Sequence, residues 1–178
     1  MLPPRLGNTI EQSPYTLDVP TATPPTTLKL FTSEWLNTPT PLDASDLLGK
    51  VVMVEAFQML CPGCVSHALP QAQRVHDTFA QSGLVVIGLH TVFEHHAAQG
   101  QTHVLEAFLH EYRFTFPIAI DMPSTTDSIP VTMRAYELRG TPSLLLFDRN
   151  GELRLNRFGS IDDLTLGATI ATLLNSNG

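Results

Sequence analysis

The chain has 178 residues, 43% of them apolar and 15% charged, with 17 acidic against 10 basic groups and a formal net charge of −7. That size and composition suit one domain with a continuous core, and the acidic balance excludes nucleic acid and anionic lipid as expected partners, because a phosphate surface would be repelled. No stretch approaches the ~18 consecutive apolar residues of a membrane span, and residues 1–27 lack a basic segment followed by an apolar run. The expected location is therefore the cytoplasm, or the periplasm if an export signal has been removed.

Eight of the 14 prolines precede residue 42, and Pro20-Thr21-Ala22-Thr23-Pro24-Pro25-Thr26-Thr27 offers little to bury. Residues 1–27 read as an N-terminal lead and residues 28–178 as the folded domain. Leu28-Lys29-Leu30-Phe31 followed by Glu34-Trp35-Leu36 reads as an edge strand or hairpin. Val51 to Phe57 is an apolar, β-rich run of the kind buried on both faces of a parallel sheet, with the carboxylate of Glu55 inside it. Val65, Ala68, Leu69, Ala72, Val75 and Phe79 recur at helical spacing, so residues 63–80 read as one amphipathic helix that stops at Gly83.

Leu84 to Leu89 reads as a second buried strand, and residues 102–113 as a second helix. This strand–helix–strand–helix order implies a parallel sheet. A short strand at 116–120, a helix near 131–138 and a strand at 143–147 follow. Asn150-Gly151 marks a tight hairpin, so a last strand over 152–158 runs antiparallel to its neighbour. Ser160, Asp162 and Asp163 cap a final helix that extends to about Leu174.

Cys61 and Cys64 are the only two cysteines. Cys61 stands after a buried strand and before a helix, where backbone N–H groups and the helix dipole stabilise a thiolate. Cys61 is the expected nucleophile. Cys64, one turn on and more buried, is placed to attack a mixed disulfide formed at Cys61. A zinc site is a poor fit, because His67, His76 and His90 lack the loop length and pairing that such ligand sets use. His90, His95 and His96 fall in a segment expected on the same sheet edge as Cys61 and read as solvated rather than metal-bound. No metal and no cofactor is expected.

These residues resemble the thioredoxin superfamily, most closely its TlpA-like and redoxin (AhpC/TSA-related) branch. The resemblance rests on the strand ending in Cys61-Pro62-Gly63-Cys64, on Pro70 in the following helix, on Arg139-Gly140-Thr141-Pro142 before a strand, and on Asp148-Arg149-Asn150-Gly151. It covers residues 28–174. It implies a three-layer α/β/α fold with a mixed central sheet, and thiol–disulfide oxidoreductase activity on protein or small-molecule thiols and disulfides. It also implies a partner reductase or oxidant that regenerates the pair. Thr141-Pro142 is implied to be a cis peptide whose residue 141 pairs with an extended substrate, with Leu60 and Pro62 flanking the nucleophile as further substrate contacts. Glu55 stands where thioredoxins carry a buried aspartate, and its burial predicts a raised pKa and a role in moving the Cys64 proton.

Two departures bear on partner choice: Leu60 replaces the tryptophan usual before the first cysteine, and Pro70 falls six residues after Cys64 where five is usual. Peroxiredoxins need Thr or Ser three residues before the reactive cysteine and Pro seven before it, whereas Gln58 and Val54 stand here. A peroxiredoxin-like thiol peroxidase and a non-catalytic thioredoxin-like binding module are the alternatives to exchange chemistry.

Overall fold

The computed structural model describes residues 25–176, in which six strands form one mixed sheet. They are β1 (Thr32–Leu36), β2 (Val51–Phe57), β3 (Leu84–His90), β4 (Ile118–Asp121), β5 (Ser143–Phe147) and β6 (Leu153–Phe158), in the spatial order β1-β4-β3-β2-β5-β6. β2, β3 and β4 are parallel, while β1, β5 and β6 each run antiparallel to the neighbour they pair with. Every residue of β2 and β5 is buried, as continuous apolar runs in the centre of a sheet covered on both faces should be.

The helices are α1 (Ala44–Leu47), α2 (Leu69–Phe79), α3 (His96–Gln99), α4 (Thr102–Tyr112), α5 (Val131–Ala135) and α6 (Asp163–Asn175). The crossovers from β2 to β3 and from β3 to β4 step the same way across the sheet. Crossovers of one hand that do so leave their helices on one face. Accordingly Leu69 and Val75 of α2, Leu105 and Leu109 of α4, and Leu166 and Ile170 of α6 share one core cluster with Met53 and Phe57. The opposite cluster joins Val52 and Val54 to Leu47 of α1 and to Met133 and Tyr136 at α5. The alternation of β2 between the two clusters makes this a three-layer α/β/α sandwich.

The segment expected as one helix over 63–80 is built in pieces. A π-helical turn spans Cys64–Ala68, in which the Leu69 N–H reaches back to the Cys64 carbonyl, and a 3-10 turn at Ala80–Ser82 follows α2. The wide turn takes up the additional residue before Pro70, which then falls in the first turn of α2.

Other boundaries also move. α5 ends at Ala135, short of 138, and Glu137 beyond it adopts a left-handed φ of 51°. The strand expected at 116–120 is Ile118–Asp121, and the last strand begins at Leu153. α6 is capped by Asp162, whose carboxylate accepts the Thr165 N–H; Ser160 is not the cap. α1 and α3 were not expected from the sequence.

Of the expected lead, residues 1–24 lie outside the described residues, while Thr26 and Thr27 join the fold. The Leu153 N–H donates to the Thr26 carbonyl at 2.7 Å, and the buried Tyr136 hydroxyl donates to the Thr27 carbonyl at 2.9 Å. Among the described residues no helix is long and apolar enough to cross a membrane.

His90 corrects an expectation directly. It is the last residue of β3, only 2% exposed, with its ring 5.2 Å from that of Phe57 and, among the described residues, no hydrogen-bond partner for its Nε2. His95 and His96 do lie on the surface. Burial lowers the pKa of His90 from the ordinary 6.5 to about 4. Between those values the unfolded chain binds a proton that the folded chain does not, so stability present above pH 6.5 is lost as the pH falls through about 4. At ~1.4 kcal/mol per unit the loss attributable to His90 is about 3 kcal/mol. His90→Phe is expected to remove most of this acid slope in urea unfolding between pH 7 and pH 4.5; an unaltered slope in the variant contradicts the assignment.

Candidate active site

β2 delivers the chain to the carboxyl edge of the sheet, where Gln58, Met59 and Leu60 turn it into a helix. The Cys61 N–H donates to the Gln58 carbonyl at 3.2 Å, and the Val65 N–H donates to the Cys61 carbonyl at 3.1 Å, which makes Cys61 the residue at the helix entrance. Pro62 takes the first helical position, where a fixed φ helps and no N–H is needed.

The two cysteines form a disulfide with their Cα atoms 5.2 Å apart. The Cys64 N–H donates to Cys61 Sγ at 3.2 Å, an interaction that strengthens when that sulfur is a thiolate. Cys64 is fully buried and Cys61 half-buried, so only Cys61 is accessible from outside.

The Thr141–Pro142 peptide bond is cis and lies against the dithiol. The Thr141 carbonyl oxygen is 3.5 Å from Cys61 Sγ, and the Pro142 ring approaches within 3.5 Å of the position a Cβ on Gly63 would occupy. Leu60 and Pro62 are both exposed beside Cys61, and at 56% Leu60 offers apolar surface immediately next to that residue. Six of the seven residues singled out from the sequence, namely Leu60, Cys61, Pro62, Cys64, Thr141 and Pro142, therefore lie together on one edge of the sheet.

Glu55, the seventh, lies deeper. It is 2% exposed and shares with Met53 and Phe57 the face of β2 whose core cluster contains Cys64. Among the described residues no side-chain hydrogen bond reaches its carboxylate. Desolvation holds its pKa well above the ordinary carboxylate range.

Two residues not assigned a role from the sequence complete the site. Gln58 and Gln99 are buried carboxamides joined by a hydrogen bond of 2.8 Å from Gln99 Nε2 to Gln58 Oε1. Gln99 also accepts the Leu60 N–H at 3.1 Å and donates to the Glu94 carbonyl at 2.9 Å. Gln58 Nε2 lies 3.4 Å from both Thr141 Oγ1 and a carboxylate oxygen of Glu94. The usable signal was a polar residue ending an otherwise apolar strand. Among the described residues no group of three or more His, Cys, Asp or Glu side chains is arranged to hold a metal ion.

Solved structures share this fold. A thioredoxin-like superfamily protein is 51% identical, with a TM-score of 0.82 over 86% of this chain and 98% of its own. A thiol-disulfide isomerase from Corynebacterium glutamicum is 48% identical, with a TM-score of 0.82 over 85% of this chain and 97% of its own. These likenesses, with the Cys61–Cys64 pair, define a thioredoxin-like redox protein. More narrowly, the AhpC/TSA family profile matches residues 22–156, and the chain belongs to the AhpC/TSA family. Protein DipZ of Mycobacterium tuberculosis is 31% identical over 149 residues, 79% of this chain and 19% of DipZ, so the chain spans about a fifth of that relative.

The buried carboxyl of Glu55 yields a test. Its folded pKa is raised, so its contribution to stability is complete below the ordinary carboxylate value and is lost as the pH rises toward the raised one. Glu55→Gln, which cannot ionise, is expected to unfold at higher urea than the unsubstituted protein near pH 8, with the gap closing toward pH 4. A gap independent of pH contradicts the raised pKa of the buried carboxyl.

Proposed function

We propose that the protein is a thiol–disulfide oxidoreductase in which Cys61 is the nucleophile and Cys64 the resolving thiol. The observation that carries this reading is the asymmetry of the pair: a half-exposed Cys61 sulfur held by the Cys64 N–H, and a buried Cys64 bonded to it. The name of the neighbour that is 48% identical, a thiol-disulfide isomerase, supports the same chemistry.

In the reducing direction the Cys61 thiolate attacks one sulfur of a substrate disulfide. A Cys61–substrate bond forms, and the substrate's other sulfur leaves as a thiolate that takes up a proton. The Cys64 thiol loses its proton, for which Glu55 in its carboxylate form on the same face of β2 is the proposed acceptor. The Cys64 thiolate then attacks Cys61 Sγ, closing the intramolecular disulfide and expelling the second substrate thiolate, which is protonated in turn. Two electrons pass from the dithiol to the substrate, and the reverse sequence oxidises a substrate dithiol. Turnover needs an external reductant or oxidant of the thiol–disulfide class. Thr141, Pro142, Leu60 and Pro62 form the surface that a substrate meets beside Cys61.

Cys64→Ser is expected to accumulate a mixed disulfide with substrate, detectable as an adduct by mass spectrometry under non-reducing conditions. Cys61→Ser forms none, and its exchange rate falls by about a hundredfold or more because the accessible thiolate is gone. An adduct on Cys64 in the Cys61→Ser protein, or undiminished exchange, overturns the assignment. Rapid oxidation of the reduced protein by hydrogen peroxide, without reaction with disulfides, would favour the peroxidase alternative.

A further inference from the structure

We propose that Gln58 and Gln99 are positioning residues that aim the Thr141 hydroxyl outward as a hydrogen-bond donor to the backbone of an extended polypeptide substrate, so that the site favours peptide disulfides over small ones. The proposal rests on the thiol–disulfide exchange reading.

A carboxamide can point either way, and only its partners decide which end is oxygen. Here two backbone groups decide it. The Leu60 N–H can only donate, so the Gln99 atom it meets at 3.1 Å is Oε1; the Glu94 carbonyl can only accept, so the Gln99 atom 2.9 Å away is Nε2. The second proton of that nitrogen points at Gln58, 2.8 Å away, and Gln58 must present its oxygen. The Phe93 N–H, 3.4 Å from the same oxygen, imposes the same orientation. The Gln58 amino group is thereby turned toward the two oxygens within 3.4 Å of it, on Glu94 and on Thr141. No member of this chain can reverse without placing a donor against a donor or an acceptor against an acceptor.

The consequence falls on Thr141. A hydroxyl has one proton, and with Gln58 Nε2 donating to Oγ1 that proton is free for another acceptor. Among the described residues it has none, and Thr141 is only half-buried. Its backbone carbonyl is 3.5 Å from Cys61 Sγ, so the hydroxyl belongs to the residue that borders the attacked sulfur. A polypeptide laid across Thr141 supplies carbonyl oxygens at that distance from its disulfide; a small organic disulfide with no backbone does not. At its other end the relay holds the Leu60 N–H, so Cys61 and Thr141 are braced by one network that enters from β2 and α3.

The test compares kcat/KM for a disulfide between two extended peptides with that for hydroxyethyl disulfide, in the unsubstituted protein, Gln58→Met and Gln58→Glu. The Cys61–Cys64 reduction potential is measured alongside. Gln58→Met deletes the donor. Gln58→Glu keeps the acceptor for Gln99 but makes the Thr141 hydroxyl donate inward; because it also sets a carboxylate against Glu94, Thr141→Val, which leaves both carboxamides in place, is the variant that reports if the position-58 variants fold poorly. In each variant the ratio of peptide to small-disulfide kcat/KM is expected to fall about tenfold, through KM for the peptide, in proportion to one lost hydrogen bond. Thr141→Val should lower the ratio similarly and add little to Gln58→Met, as coupled positions do. An unchanged ratio, or equal losses on both substrates accompanied by a shifted potential, overturns the proposal. Failure of the unsubstituted protein to exchange with either disulfide overturns the exchange reading itself, and this proposal with it.

Discussion

The complete burial of β2 between β3 and β5 is the constraint on which the site depends. With both faces covered and both edges paired, the strand cannot slide by one residue without moving Met53 and Phe57 to the face that takes Val52 and Val54. That fixed register delivers Cys61 to the carboxyl edge of the sheet at the entrance of a helix. β5, paired with the same strand, begins immediately after Pro142 and brings the cis peptide to the sulfur. The cysteine and the proposed substrate surface beside it are therefore positioned by one strand pair, through backbone hydrogen bonds rather than surface loops.

The protein also buries polar groups around this frame, and they divide by whether they have partners. Asp121 is compensated: the Thr91 hydroxyl and the N–H groups of Thr132 and Met133 donate to its carboxylate, which ties the start of α5 to the end of β4 even as burial pushes its pKa up. Gln58 and Gln99 are likewise hydrogen-bonded at both ends of their carboxamides. Among the described residues Glu55 and His90 are not so compensated, and burial disfavours the charged form of each. The positions of these two differ in consequence. His90 contacts Phe57 at the rim of the core, whereas Glu55 shares the β2 face of the cluster that contains the buried thiol.

Much of this was legible in the sequence because it rests on periodicity and on fixed local spacing. The apolar runs gave β2, β3 and β5, the amphipathic repeats gave α2 and α4, and Cys-Pro-Gly-Cys with Thr-Pro gave the two halves of the site. α1 and α3 escaped because four residues carry no period; α1 is specified instead by the reciprocal cap of Asp43 and Asp46. The π turn before Pro70 was visible only as a proline one residue late. Gln58 and Gln99 are 41 residues apart, and no spacing rule joins two glutamines across that distance. The polar neighbours of His90 group it with the loop that follows, yet pairing with Phe57 and Ile120 carries β3 one residue further.

The central claim is that Cys61 and Cys64 form a working two-electron couple. Equilibrating the protein in glutathione or dithiothreitol buffers of graded poise, with Cys61→Ser as the blank, tests it most directly. The expected result is a single reversible two-electron transition, in which a tenfold change in the equilibrium corresponds to ~30 mV, and no transition in the blank. A pair that stays oxidised or reduced across the accessible range, or the same transition in Cys61→Ser, would contradict it.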